Sequence, residues 1–142
     1  MKTINAIGLT AALFTSAAFA GTPCDGFNIV IQNQSSHELV TKSVSLDGGN
    51  LTPGMGATLN SGANLTFSIN NNVSATLSGS IEVRPTAVLE FLTNQDTVQF
   101  TLENLGTVCK FTDTSTPEKN AHNVTLTSNG ANEATYTIRN RQ

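Results

Sequence analysis

The feature that most constrains this chain is a two-residue alternation of apolar and polar side chains. It begins at Phe27 and recurs almost to the end. Phe27, Ile29 and Ile31 share one face of a first strand, with Cys24 just ahead of it. Successive side chains of an extended chain point to opposite sides, so this spacing fits a strand with one face buried. The same spacing returns at Val40, Val44 and Leu46, at Leu65, Phe67 and Ile69, and at Val73, Ala75, Leu77, Ile81 and Val83. It returns again at Val98, Phe100 and Leu102, at Cys109 and Phe111, at Val124 and Leu126, and at Ala134, Tyr136 and Ile138.

Turn chemistry separates these runs. Asn33 to Ser36, Asp47-Gly48-Gly49-Asn50, Asn94-Gln95-Asp96, Glu103 to Gly106 and Ser128-Asn129-Gly130 all carry residues that favour turns. Leu65–Val83 reads as a hairpin, with Ser78-Gly79-Ser80 as a bulge. Thr86 to Leu92 fits either a short helix or a strand apolar on both faces, and the strand is preferred. Amphipathic helices of the length needed for parallel winding are missing. About nine or ten short strands with turns between them imply a β-sandwich or a small barrel, and the fold expected is all-β, an antiparallel β-sandwich.

The first residues carry an address. Lys2 is followed by an apolar run from Ile4 to Leu13 and by Ala18-Phe19-Ala20, the pattern of a cleaved signal peptide over residues 1–20. The apolar span is short of the ~20 residues a membrane helix needs, and no later stretch supplies them. Residues 21–142 are then expected to form a single domain, secreted or periplasmic and of bacterial type. Loss of Lys2 takes the formal net charge from -3 to -4, with no basic patch. That argues against nucleic acid as a partner.

Cys24 and Cys109 are the only cysteines. In an exported chain they predict a disulfide, the alternative being two buried thiols. The bridge would tie the first strand to a late one across the intervening sheet.

The residues offer little chemistry. His37 and His122 read as exposed loop histidines, because no nucleophile elbow accompanies them. No metal-ligand spacing is present, and Asp47 and Asp113 read as turn-capping residues. Glu82, Glu90 and Glu103 read as outward strand or turn residues. The chain has no tryptophan and one tyrosine, which leaves scarcely any aromatic platform for a sugar. No catalytic, metal or cofactor site is therefore expected, and the chain reads as a binding protein, not an enzyme. Its loops Asp47–Gly62 and Asp113–His122 are the expected contact surfaces, for a lipid headgroup, a glycan or a host or envelope protein. The alternative is a structural subunit of a surface fibre or envelope assembly.

Two families share short patterns with this chain. Ile31-x-Asn33-x-Ser35, then Leu39, Gly48, Pro53, Gly62 and Phe67, resemble the aegerolysins over Phe27 to Val83. That resemblance implies an aegerolysin-like β-sandwich and binding of membrane lipid, in some members with a pore-forming partner. Gly130 to Ile138 resembles the last strand of chaperone–usher pilins, which implies an immunoglobulin-like sandwich. Only Gly21-Thr22-Pro23 lies between the expected cleavage site and Cys24, so no N-terminal arm is expected to donate a strand.

Overall fold

The structure, a computed structural model, describes residues 22–71, 76–87, 89 and 94–142. The expected leader lies outside them, as do Glu90 and most of the apolar positions of the Thr86–Leu92 segment. The chain folds into ten described strands: β1 Asn28–Asn33, β2 Leu39–Asp47, β3 Gly49–Thr52, β4 Thr58–Leu59, β5 Asn64–Asn71, β6 Leu77–Pro85, β7 Asp96–Leu105, β8 Val108–Asp113, β9 Asn123–Asn129 and β10 Glu133–Arg139. A single 3-10 turn, Pro117–Lys119, lies between β8 and β9. No helix among the described residues is long and apolar enough to cross a membrane.

The strands form two five-stranded sheets, ordered β3-β5-β1-β10-β9 and β4-β2-β6-β7-β8. They pack as the expected β-sandwich. The alternating residues fill the space between them: Ile29, Ile31, Phe67, Ile69, Ile81, Val83, Val98, Phe100, Leu102 and Tyr136 are all buried. An aromatic cluster centres on Phe111, with Phe27, Phe100 and Tyr136 at ring separations of 5.7, 5.6 and 6.1 Å. Stacked and edge-to-face contacts of this kind add to the area such rings bury.

Pairing is antiparallel except between β1 and β10, which run parallel from Asn28↔Glu133 to Asn33↔Ile138. The first strand thus sits mid-sheet beside the last. Thr137 lies on the outer face of β10, yet it is only 1 % exposed. Its hydroxyl is bonded to Gln32 on β1 and Thr127 on β9, so the outer face is also locked across three strands.

Several local expectations are corrected. Gly49 and Asn50, expected in a turn, open β3, and Glu103 to Leu105, also expected in a turn, end β7. Leu65–Val83 is not a hairpin: β5 pairs with β1 and β3, whereas β6 pairs with β2 and β7 in the other sheet. Alternation marks a buried face but does not name the neighbouring strand. Nor is Ser78-Gly79-Ser80 a bulge, since its register is continuous with both neighbours. Gly79 instead makes room for Phe100, because a Cβ there would collide with the ring. The irregularities fall elsewhere, between Thr41 and Ser43 on β2 and opposite Thr127 on β9.

Cys24 and Cys109 form a disulfide. It joins the segment before β1 to β8, and so one sheet to the other. The Cys24 N–H also donates to Asn104 Oδ1 at 2.9 Å. We call this end of the sandwich the disulfide pole. The opposite end carries the β1–β2 loop, the start of β7, the residues before β9 and the end of β10.

Candidate binding groove and buried polar pole

Edge strands β8 and β9 lie on the same flank of the sandwich, one from each sheet. Between them runs a groove of about 470 Å³, lined by Asp113, Ser115, Pro117, Tyr136 and β9 residues 123–126. Val124 and Leu126 face it from β9, where alternation turns them inward. Asn129 Nδ2 donates to the Phe111 carbonyl at 3.5 Å and bridges the two strands at one end.

The loop after β8 builds the other end. A strand there would have paired with the remaining residues of β7. Side chains take over that pairing instead. Ser115 Oγ accepts from the Gln99 N–H at 2.9 Å and donates to its carbonyl at 3.2 Å. Asn120 does the same at Thr97, accepting at 2.8 Å through Oδ1 and donating at 3.2 Å through Nδ2. The Ala121 N–H then donates to the Gln95 carbonyl. Arg141 holds the 3-10 turn from the far side, donating to the carbonyls of Pro117 and Asn120 at 3.1 and 2.7 Å. The loop is therefore a fixed wall, with a smaller polar concavity of about 170 Å³ behind it over Thr97 and Gln99.

Tyr136 stands where core and groove meet. Its hydroxyl donates to Asp113 Oδ1 at 2.8 Å. Burial pushes this phenol well above its ordinary range, and the bonded Asp113 carboxylate pushes the same way. It therefore stays a proton donor. Asp113 Oδ1 also accepts from the Ser115 N–H at 3.0 Å, the turn-capping role expected of it.

The second polar region is at the pole opposite the disulfide. Asp96 and His122 are 1 and 4 % exposed, so the reading of His122 as an exposed loop residue is corrected. Asp96 Oδ1 accepts from the His122 backbone N–H at 2.7 Å, and Oδ2 lies 2.5 Å from the His122 ring Nδ1. His122 Nε2 in turn lies 3.1 Å from His37 Nδ1, and His37 is half-buried. An ionised carboxylate can only accept, so His122 Nδ1 is the donor in the first bond. The two facing nitrogens of the second bond share one proton. Beside this chain, Asn33 donates to the carbonyls of His37 and Leu59 and accepts from the N–H and hydroxyl of Ser35. The Ser35 hydroxyl thus meets Asn33 rather than an imidazole. No cluster of three or more His, Cys, Asp or Glu among the described residues could hold a metal.

The remaining candidates stay apart. Glu82 pairs with Arg84 and Glu103 with Lys110 on the outer surface. The Asp47–Gly62 loop divides: β3 pairs near the disulfide pole, whereas β4 pairs at the opposite one. Sequence reasoning nominated the Asp113–His122 loop but missed Tyr136, Ser115 and Asn120 as its supports. The one available signal was Tyr136, the chain's only tyrosine. Nothing local marks Asp96 as the partner of a histidine 26 positions away.

No family model matches this chain, and no curated protein matches it. Among solved structures it is similar to the crystal structure of IP-1A from Alcaligenes faecalis. The TM-score is 0.54 at 11% identity, covering 89% of this chain and 97% of that one. The similarity is one of fold.

Proposed function

We propose that this chain is an exported, non-enzymatic binding module whose site is the β8–β9 groove. The observation that carries this reading is the loop wall. Side chains of Ser115 and Asn120 fasten an irregular segment to β7 and hold a concavity open beside it. A site of about 470 Å³ is within the range of small-ligand pockets. Its surface pairs apolar Val124, Leu126 and Pro117 with the polar groups of Asp113, Ser115 and Tyr136. Its described lining residues present an anionic lipid headgroup with no cation, so a glycan or a protein segment suits it better. The disulfide fits an oxidising compartment, which supports export.

A reading as an enzyme draws on Asp96, His122 and His37, but both ring nitrogens of His122 are engaged within the fold. Their arrangement suits holding three loops together. A structural subunit is the second reading, favoured by the open edge of β9.

Tyrosine emission tests the proposal directly, because Tyr136 lines the groove and no tryptophan masks it. Purified protein is titrated with glycan mixtures, vesicles and peptide mixtures. At least one class should shift the emission, and Leu126→Glu, checked for folding by circular dichroism, should abolish that shift. Binding that survives Leu126→Glu unchanged places the site elsewhere and overturns the assignment.

A further inference from the structure

Among the described strands four stand at sheet edges, and three of them are guarded against pairing with another chain. β4 is only two residues long. β3 has four residues and runs directly into Pro53. β8 carries the exposed Lys110. Short edges, prolines and lysines are the usual devices that keep sheet edges from recruiting strands. β9 differs. Its seven residues, Asn123–Asn129, contain neither charge nor proline. It has one guard, the irregularity at Thr127, which leaves Asn123 to Leu126 in regular pairing with β10. Those four residues are also the ones that line the groove.

We infer that the groove takes an extended peptide strand, which pairs with the open edge of β9 and directs a basic side chain to Asp113. The inference rests on the binding reading above and names the ligand class. Strand addition draws affinity from main-chain hydrogen bonds and selectivity from pockets for alternate side chains. Here Val124 and Leu126 supply an apolar floor for one set of side chains. Asp113 is the only charged residue among the described residues that line the groove, and its bonded partners are neutral, the Tyr136 hydroxyl and the Ser115 N–H. A lysine or arginine at that end would complete a charge pair, whereas an acidic residue would be repelled.

The test uses the folded, disulfide-bonded protein and three labelled peptides of alternating valine and threonine. One carries a lysine, a second a glutamate in its place, and the third is the lysine peptide N-methylated at alternate amides. Anisotropy should show binding of the lysine peptide, and hydrogen exchange should slow at Asn123 to Leu126. N-methylation should abolish the effect. Asp113→Asn should weaken the lysine peptide about five-fold, and Asp113→Lys should reverse the preference towards glutamate. Binding that ignores N-methylation, or exchange that does not slow along β9, overturns the inference. So does slowed exchange without peptide that rises with protein concentration, since β9 would then pair with a second copy. If a glycan shifts Tyr136 emission and no peptide does, the groove remains a binding site and only the strand proposal fails. If nothing moves that emission, both fail.

Discussion

The two poles of this sandwich are closed by opposite means. At one, a covalent bond between Cys24 and Cys109 joins the sheets. At the other, Asp96, His122, His37, Asn33 and Ser35 join three loops through hydrogen bonds alone. The covalent pole depends on no neighbour for its bond. The polar pole is interdependent, because Asp96, His122, His37, Asn33 and Ser35 each meet another of the group through a hydrogen bond. The disulfide acts mainly by restricting the unfolded chain, whereas the polar network acts within the native state.

That contrast can be broken by removing one pole at a time. The Cys24→Ala, Cys109→Ala double variant opens a cross-link spanning 85 positions. Chain entropy sets the expected loss at about 4–5 kcal/mol. Urea unfolding should show it, and reductant should destabilise the parent protein but not the variant. At the polar pole, Asp96→Ala leaves the His122 backbone N–H and ring Nδ1 without their acceptor. The expected loss is about 3 kcal/mol. Hydrogen exchange should quicken first in the β1–β2 loop and before β9, while amides near Cys24 keep their protection. A uniform loss over both poles would mean that they unfold as one unit and that the contrast has no energetic meaning.

Between the poles, Gly79→Ala drives a methyl group into the Phe100 ring, for an expected loss of about 2 kcal/mol. Adding Phe100→Leu should recover part of it in the same unfolding assay. An additive double variant would show that the ring is not the obstacle.

The smallest effect is sharpest in pH. Tyr136→Phe removes one hydrogen bond, worth about 1 kcal/mol at neutral pH. The phenol's folded pKa lies above its unfolded value of 10.0. Its contribution is therefore full below that pH, where both states hold the proton. Above it the unfolded chain releases the proton first and stability falls, until the folded pKa is passed. The parent should lose stability above about pH 10 with a slope that Tyr136→Phe lacks. As the chain's only tyrosine, Tyr136 should show tyrosinate absorbance only as the protein unfolds. Ionisation in the folded protein near the ordinary value would show that the phenol is neither buried nor held by Asp113.

Much of this architecture was readable before any coordinates. Alternation located eight of the ten described strands, from Ile29 and Ile31 in β1 to Tyr136 and Ile138 in β10, but not the short β3 and β4, which lie in residues that read as turn and loop. The two lone cysteines marked the bridge, and the polar run around Pro117 marked the loop that walls the groove. The parallel pairing of β1 with β10 and the move of β6 away from β5 were not readable. Nor was the meeting of Asp96 with His122, which depends on the start of β7 and the approach to β9 sharing one pole.

The amino-acid sequence by itself determined which residues extend, which side of each strand is apolar and where the chain must turn. Those properties follow from backbone sterics and side-chain polarity within a few neighbouring residues. Only the tertiary structure decided which strands lie side by side, where a buried carboxylate finds its imidazole, and which edge is left open. Pairing joins residues far apart in the chain, and hydrogen bonds between backbones look alike whichever strand supplies them.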